Sequence, residues 1–159
     1  MITFFQYNWM VRDEWFELCS RMPYKELIKE RTGGFKTILH TLLHIVHVEE
    51  GWIADIKGVP VRNINFSDYT TIESIKNFSD EIRPEVERVV RNWNPDRDFE
   101  SISCPFEDEK TEEFTYGEIL RHLIAHEIHH IGQLSVWARE IGIQPISANL
   151  IRRELFTLK

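Results

Sequence analysis

Apolar residues recur three and four positions apart through four long stretches of the chain, and most of these stretches end at glycine or proline, the pattern of amphipathic helices. In the first, residues 4–21, Phe5, Trp9, Phe16 and Leu18 stand among charged residues, and Met22-Pro23 stops the run. The second, residues 35–56, follows Gly33-Gly34, carries Ile38, Leu42, Ile45, Val46, Ile53 and Ile56, and closes at Gly58-Val-Pro60. A polar link over residues 62–69 leads to Thr70-Thr-Ile-Glu73, which reads as a capping box opening a third helix that runs to about residue 93. Pro84 falls inside that helix and predicts a kink or a break, because proline lacks the N–H and crowds the preceding turn.

Asn94-Pro95-Asp96 is turn chemistry, and beyond it the helical period gives way to a partial alternation, with Ile102, Cys104 and Phe106 apolar ahead of the polar Glu107-Asp108-Glu109-Lys110. A short hairpin or a long loop is expected there. Thr115-Tyr-Gly-Glu118 is a second capping box; it opens the strongest helix of the chain, which runs to about residue 141 before Gly142 and Pro145. A short fifth helix is expected over residues 148–155. With no internal repeat and no second core, residues 1–159 read as one all-α domain, a four-helix bundle with a short hairpin or loop before its last long helix.

Composition narrows the function. A chain of 159 residues buries roughly two-thirds of its unfolded surface; 42% hydrophobic and 12% aromatic residues exclude disordered and low-complexity classes. The formal charge of -7 repels a phosphate backbone, and no basic stripe offsets it, so no nucleic-acid partner is expected. No run approaches a membrane span. Two cysteines, Cys19 and Cys104, read as small hydrophobes, and with no basic region ahead of an apolar stretch after Met1 a cytoplasmic location is expected.

All seven histidines fall inside two of the expected helices: His40, His44 and His47 in the second, His122, His126, His129 and His130 in the last. A four-residue step turns a helix by about 40° and rises about 6 Å, so His126 and His130 point the same way from adjacent turns and can share one ion. On a helical wheel each cluster forms one stripe, and a metal site is completed if the two stripes face each other. A single histidine on a helix face is ordinarily a satisfied structural residue, but seven without a metal would need seven sets of partners. His126-Glu-Ile-His-His130 also matches H-E-x-x-H literally, yet the extended protease pattern needs Gly and His where this chain has Gln133 and Val136. Glu127 is therefore read as a solvated helix residue. Trp9, Trp52 and Trp137 read as packing residues, and Gln133 as a packing or capping residue that has the alternative of orienting a ligand.

Tyr7-Asn-Trp9, Thr41-Leu-Leu-His44-Ile with Glu49 and Trp52 after it, His122-Leu-Ile-Ala-His126-Glu-Ile-His-His130-Ile-Gly132-Gln133, and Gly142-Ile-Gln-Pro145 together resemble the DinB-like (DinB/YfiT) metalloenzyme superfamily. The resemblance covers nearly the whole chain, with Ile131 standing where the family often has Arg. It implies an up-down-down-up bundle, a homodimer, and one divalent ion on His44, His126 and His130; the family selects His44 over His40 and His47. It also implies transfer of a low-molecular-weight thiol, bacillithiol or mycothiol in type, to a small-molecule substrate.

Three neutral imidazoles leave a divalent ion its charge and an open position, where water is acidified and a thiol deprotonated. The leading expectation is thus metal-dependent thiol transfer to an electrophile; a hydrolase using water at the metal and a non-catalytic metal-binding bundle are the alternatives. Zinc or nickel suits the donors best, with iron, copper or manganese behind them. His47, His122, His129 and Gln133 are candidates for supporting the ligands or contacting substrate.

Overall fold

A computed structural model describes residues 1–105 and 110–156. Four long helices form a bundle: α1 (Ile2–Ser20), α3 (Ile38–Lys57), α4 (Ile72–Arg91) and α5 (Tyr116–Glu140), with the short α2 (Tyr24–Ile28) after α1. Between α4 and α5 lies the antiparallel hairpin of β1 (Ser101–Pro105) and β2 (Thr111–Thr115), in the register Ser101↔Thr115 to Pro105↔Thr111. The expected residues 106–109 of that turn lie outside the described residues.

Each of α1 and α3 packs against both α4 and α5, so α1 and α3 sit diagonally. Helix directions follow from the side-chain pairings. Asp13 of α1 pairs with Arg83 of α4 while Met1 and Phe4 lie beside Trp93, so these helices run antiparallel. Asn8 and Arg12 of α1 reach Ile124 and Glu127 of α5, which makes that pair parallel. His44 of α3 faces His126 and His130 while Trp52 faces His122, so α3 and α5 are antiparallel. The order along the chain is therefore up-down-down-up. Trp15, Phe16, Leu42, Leu43, Ile75, Leu120 and Leu134 fill the core between the four helices; full burial of such side chains contributes about 1.5–3 kcal/mol each. Among the described residues no helix is long and apolar enough to cross a membrane.

The capping signals decide the helix starts. Thr115 accepts from the backbone of Glu118, whose carboxylate bonds back to Thr115 N, the expected reciprocal box. In α4 the expected box does not form: Thr71, not Thr70, is the cap and accepts from Ser74 N at 3.1 Å, and Ser74, standing where a box needs Glu or Gln, returns its hydroxyl to Thr71 O instead of the cap N–H. α4 continues through Pro84 without a break; Pro84 is on the exposed face, where water can serve the carbonyl deprived of its donor. α3 begins later than expected, because Thr37 caps His40 N and the preceding residues Gly33, Gly34 and Lys36 all have positive φ. In place of the expected helix over residues 148–155 there is one 3-10 turn, Leu150–Arg152, ended by the left-handed Glu154.

Candidate metal centre

α3 and α5 face each other where their histidine stripes meet, and the side chains of His44, His126 and His130 converge. His44 Nε2 lies 2.9 Å from His126 Nε2, which lies 3.1 Å from His130 Nε2. One ligand atom from each of the three falls within 4.8 Å of the others. Nitrogens bound tetrahedrally at about 2.0–2.1 Å from zinc stand about 3.4 Å apart, so modest ring rotations bring this donor set to a metal.

The surroundings fix the rings. His130 Nδ1 is 2.8 Å from Gln133 Oε1, and Gln133 Nε2 is 2.9 Å from His129 Nε2. With the amide so oriented, its oxygen accepts the Nδ1 proton of His130 and its NH2 donates to His129. His130 Nε2 then keeps its lone pair, the arrangement a metal-ligating histidine needs. His126 Nε2 has at most one proton for its two imidazole neighbours, so the three facing nitrogens cannot all be satisfied by one another. A divalent ion satisfies all three, and the donor set fits it.

Phe35, in the turn ahead of α3, stacks on the His44 ring with centroids 3.7 Å apart and planes at 22°. Gly34 has φ +51, and a Cβ there would lie 2.5 Å from Gln133 Oε1. The turn can approach the site this closely only because that residue has no side chain. Burial pushes His44 down to about 3, aided by the neighbouring His126, His130 and His47, and His126 down to about 4, aided by His130. His130 is lowered by burial and partly restored by Gln133. All three are therefore neutral, with lone pairs available, near pH 7.

The other histidines divide. His40 and His47 make edge contacts to Phe66 and stay outside the three-nitrogen group. His122 lies one turn from His126, ring centroids 5.6 Å apart, and faces Trp52. Trp9 and Trp137 are buried packing residues as expected, whereas Trp52 is half-buried and lines a cavity with His122. Cys19 and Cys104 are buried, their thiols pushed up by burial to about 12 and about 11.

Of the two open readings of Gln133 its contacts match the ligand-orienting one, and one sequence expectation, that of Glu127, is corrected. Gln133 bridges two histidines. Glu127 is not solvated: it is 2% exposed, and Arg12 Nε and Nη2 grip its two oxygens at 2.8 and 2.5 Å. The same guanidinium donates to Glu49 at 2.7 Å and to Ser79 at 3.2 Å, while Trp9 Nε1 donates to Glu49 at 3.1 Å. Burial raises the Glu127 carboxyl and Arg12 opposes it; Arg12 itself stays protonated between the two carboxylates. Glu127 is thereby committed to the core and is unavailable as the general base of an H-E-x-x-H site. Arg12 carries no motif that singles it out among the arginines of the sequence, and Phe35 none beyond its place after Gly33-Gly34.

An up-down-down-up helical bundle with three converging imidazoles between its second and last long helices defines a class of histidine-site bundle proteins. The chain belongs to the DinB family, whose sequence pattern matches residues 1–157. It is 46% identical over 155 residues to a Bacillus subtilis (strain 168) protein described as uncharacterized protein YizA, spanning 98% of this chain and 96% of that one. The crystal structure of a DinB-like protein from Bacillus cereus ATCC 10987 superposes with a TM-score of 0.61 at 21% identity, over 91% of this chain and 94% of that one. The latter similarity concerns the fold.

Proposed function

We propose that this protein holds one divalent metal ion, zinc or nickel, on His44, His126 and His130, and transfers a low-molecular-weight thiol of the bacillithiol type to an electrophilic small molecule. The observation that carries the reading is the convergence of three Nε2 atoms that cannot satisfy one another, with the His130 tautomer fixed by Gln133. When bound, such an ion supplies a Lewis acid with an open position, at which a thiol loses its proton near neutral pH.

The protein's own groups do the rest. Gln133 orients His130 and ties it to His129. Phe35 covers one face of His44 and limits water there. The chemistry forms one bond from sulfur to the electrophilic carbon as the bond to the leaving group breaks, and the thiol proton passes to solvent. The hydrolytic alternative lacks support from Glu127, the one carboxylate of the H-E-x-x-H match, because Arg12 occupies it.

The test is a comparison of metal-loaded wild type with the triple alanine variant of His44, His126 and His130, given a thiol and an aryl halide. Thiol-dependent product from the wild type alone supports the proposal. Product without thiol identifies a hydrolase, and no product from metal-loaded protein leaves a metal-binding bundle.

A further inference from the structure

Beside the histidine group, a concave cavity of about 570 Å³ opens between α3, β2 and the first half of α5, lined by Trp52, Phe114, Ile119, His122 and Ala125 with Glu118 and Arg121 at its edge. Its volume is in the range that encloses a small organic ligand, about 300–1,000 Å³. Three rings shape it: Trp52 stands edge-on to Phe114, centroids 5.5 Å apart at 88°, and edge-on to His122 at 5.6 Å and 70°.

The charged groups at the edge are already engaged. The Glu118 carboxylate bonds Thr115 N and Oγ1 at 2.9 and 2.8 Å. The Arg121 guanidinium is held by Asp98 and by the Gly117 carbonyl. Arg121 is thus paired with an opposite charge, whereas Glu118 is held only by neutral donors and keeps its negative charge. Among the described residues, His122 has ring contacts and no competitor for its ring nitrogens, and together with the Trp52 indole N–H it is a polar group of the lining open to a ligand. The His122 ring links the cavity to the His126 imidazole 5.6 Å away.

We infer that this cavity binds the body of the electrophile, and that its ligand is a neutral aromatic molecule packed against Trp52 and Phe114, with a polar substituent reaching His122. Aromatic walls favour such a ligand through offset and edge-to-face packing, while Arg121, paired with Asp98, gives an anionic one no free counter-ion and the Glu118 carboxylate repels it. The inference rests on the proposed thiol transfer for the word electrophile; the binding itself stands apart from it.

The experiment titrates a neutral aryl fluorophore, N-phenylnaphthylamine, and its anionic relative, anilinonaphthalene sulfonate, into metal-free and metal-loaded protein. Ala125→Trp fills the cavity from an exposed helical position, and Val136→Trp adds the same bulk elsewhere on α5. The expected result is one neutral probe per chain, weaker binding of the anion, and at least about tenfold loss of affinity in Ala125→Trp only. Metal content and oligomeric state should be unchanged in both variants. Equal binding by Ala125→Trp, a preference for the anion, or a change of oligomeric state in Ala125→Trp, which would assign the cavity to a second copy of the chain, overturns the inference. Failure of the thiol-transfer reading looks different: the neutral probe binds and is displaced by Ala125→Trp, yet no thiol product forms.

Discussion

Two polar clusters lie within a few residues of each other along α3 and α5, and they are built on opposite principles. The Arg12 cluster is closed. One guanidinium at 1% exposure meets two carboxylates at 4% and 2%, and Ser79 and Trp9 add donors and acceptors within the same group. Burying charges is costly, and such a group persists only when its members are paired and hydrogen-bonded to one another. The histidine cluster is open: its nitrogens face each other at 2.9 and 3.1 Å with too few protons to go round. Adjacent residues His126 and Glu127 belong one to each, so the last helix turns a structural ion pair and a ligand group away from one another within a single step of about 100°. A buried polar group that satisfies itself is structure; one that cannot is a place for something else.

That contrast can be broken from either side. The largest effect should come from Arg12→Met, which leaves Glu49 and Glu127 buried without their cation. A loss of about 3–5 kcal/mol is expected in urea unfolding, and a stability near wild type would show that the pair is dispensable.

Gln133→Met should leave urea unfolding of the metal-free protein almost unchanged but weaken metal affinity by about 10–100-fold, the usual cost of removing a group that orients a ligating histidine. Competition with a chromogenic chelator reads this directly. Gly34→Ala should act in the same direction more weakly, because the added Cβ would lie 2.5 Å from Gln133 Oε1 and displace the amide. It also forces a side chain into φ +51, so a modest loss of stability accompanies it.

The last expected effect is a slope with pH. His44 and His126 fall to about 3 and about 4 in the folded chain from an ordinary 6.5, so on acidification the unfolded chain takes up protons first. Their contribution to the stability of metal-free protein is therefore complete above pH 6.5 and declines as pH falls toward the folded values. Urea titrations across that window should show a shallower decline in the triple alanine variant than in the wild type.

Much of this arrangement was legible in the sequence. The 3.6-residue period gave four long helices, and the Thr115–Glu118 box fixed the start of the last one because both of its partners are local. His126 and His130 were legible for the same reason: their relation is set by one helix. His44 was different. Spacing left it level with His40 and His47, and only the resemblance to a family selected it, since the facing of two helices is decided by tertiary packing.

The Arg12 cluster was not legible at all. Arg12, Glu49, Ser79 and Glu127 come from four helices, and periodicity assigns charged residues to water. Pro84 and the residues after Ile143 show the same limit at smaller scale: the chain tolerates a proline where the helix faces solvent, and a stretch with helical spacing stays irregular where Arg153 is drawn to Glu14.

The most direct test of the central claim is the metal content of purified protein, measured by elemental analysis after reloading with zinc or nickel, for wild type and for the triple alanine variant of His44, His126 and His130. One ion per chain in the wild type and none in a variant that remains folded is the predicted result. A wild type that takes up neither metal, or a triple variant that retains it, would contradict the claim that these three imidazoles form the site.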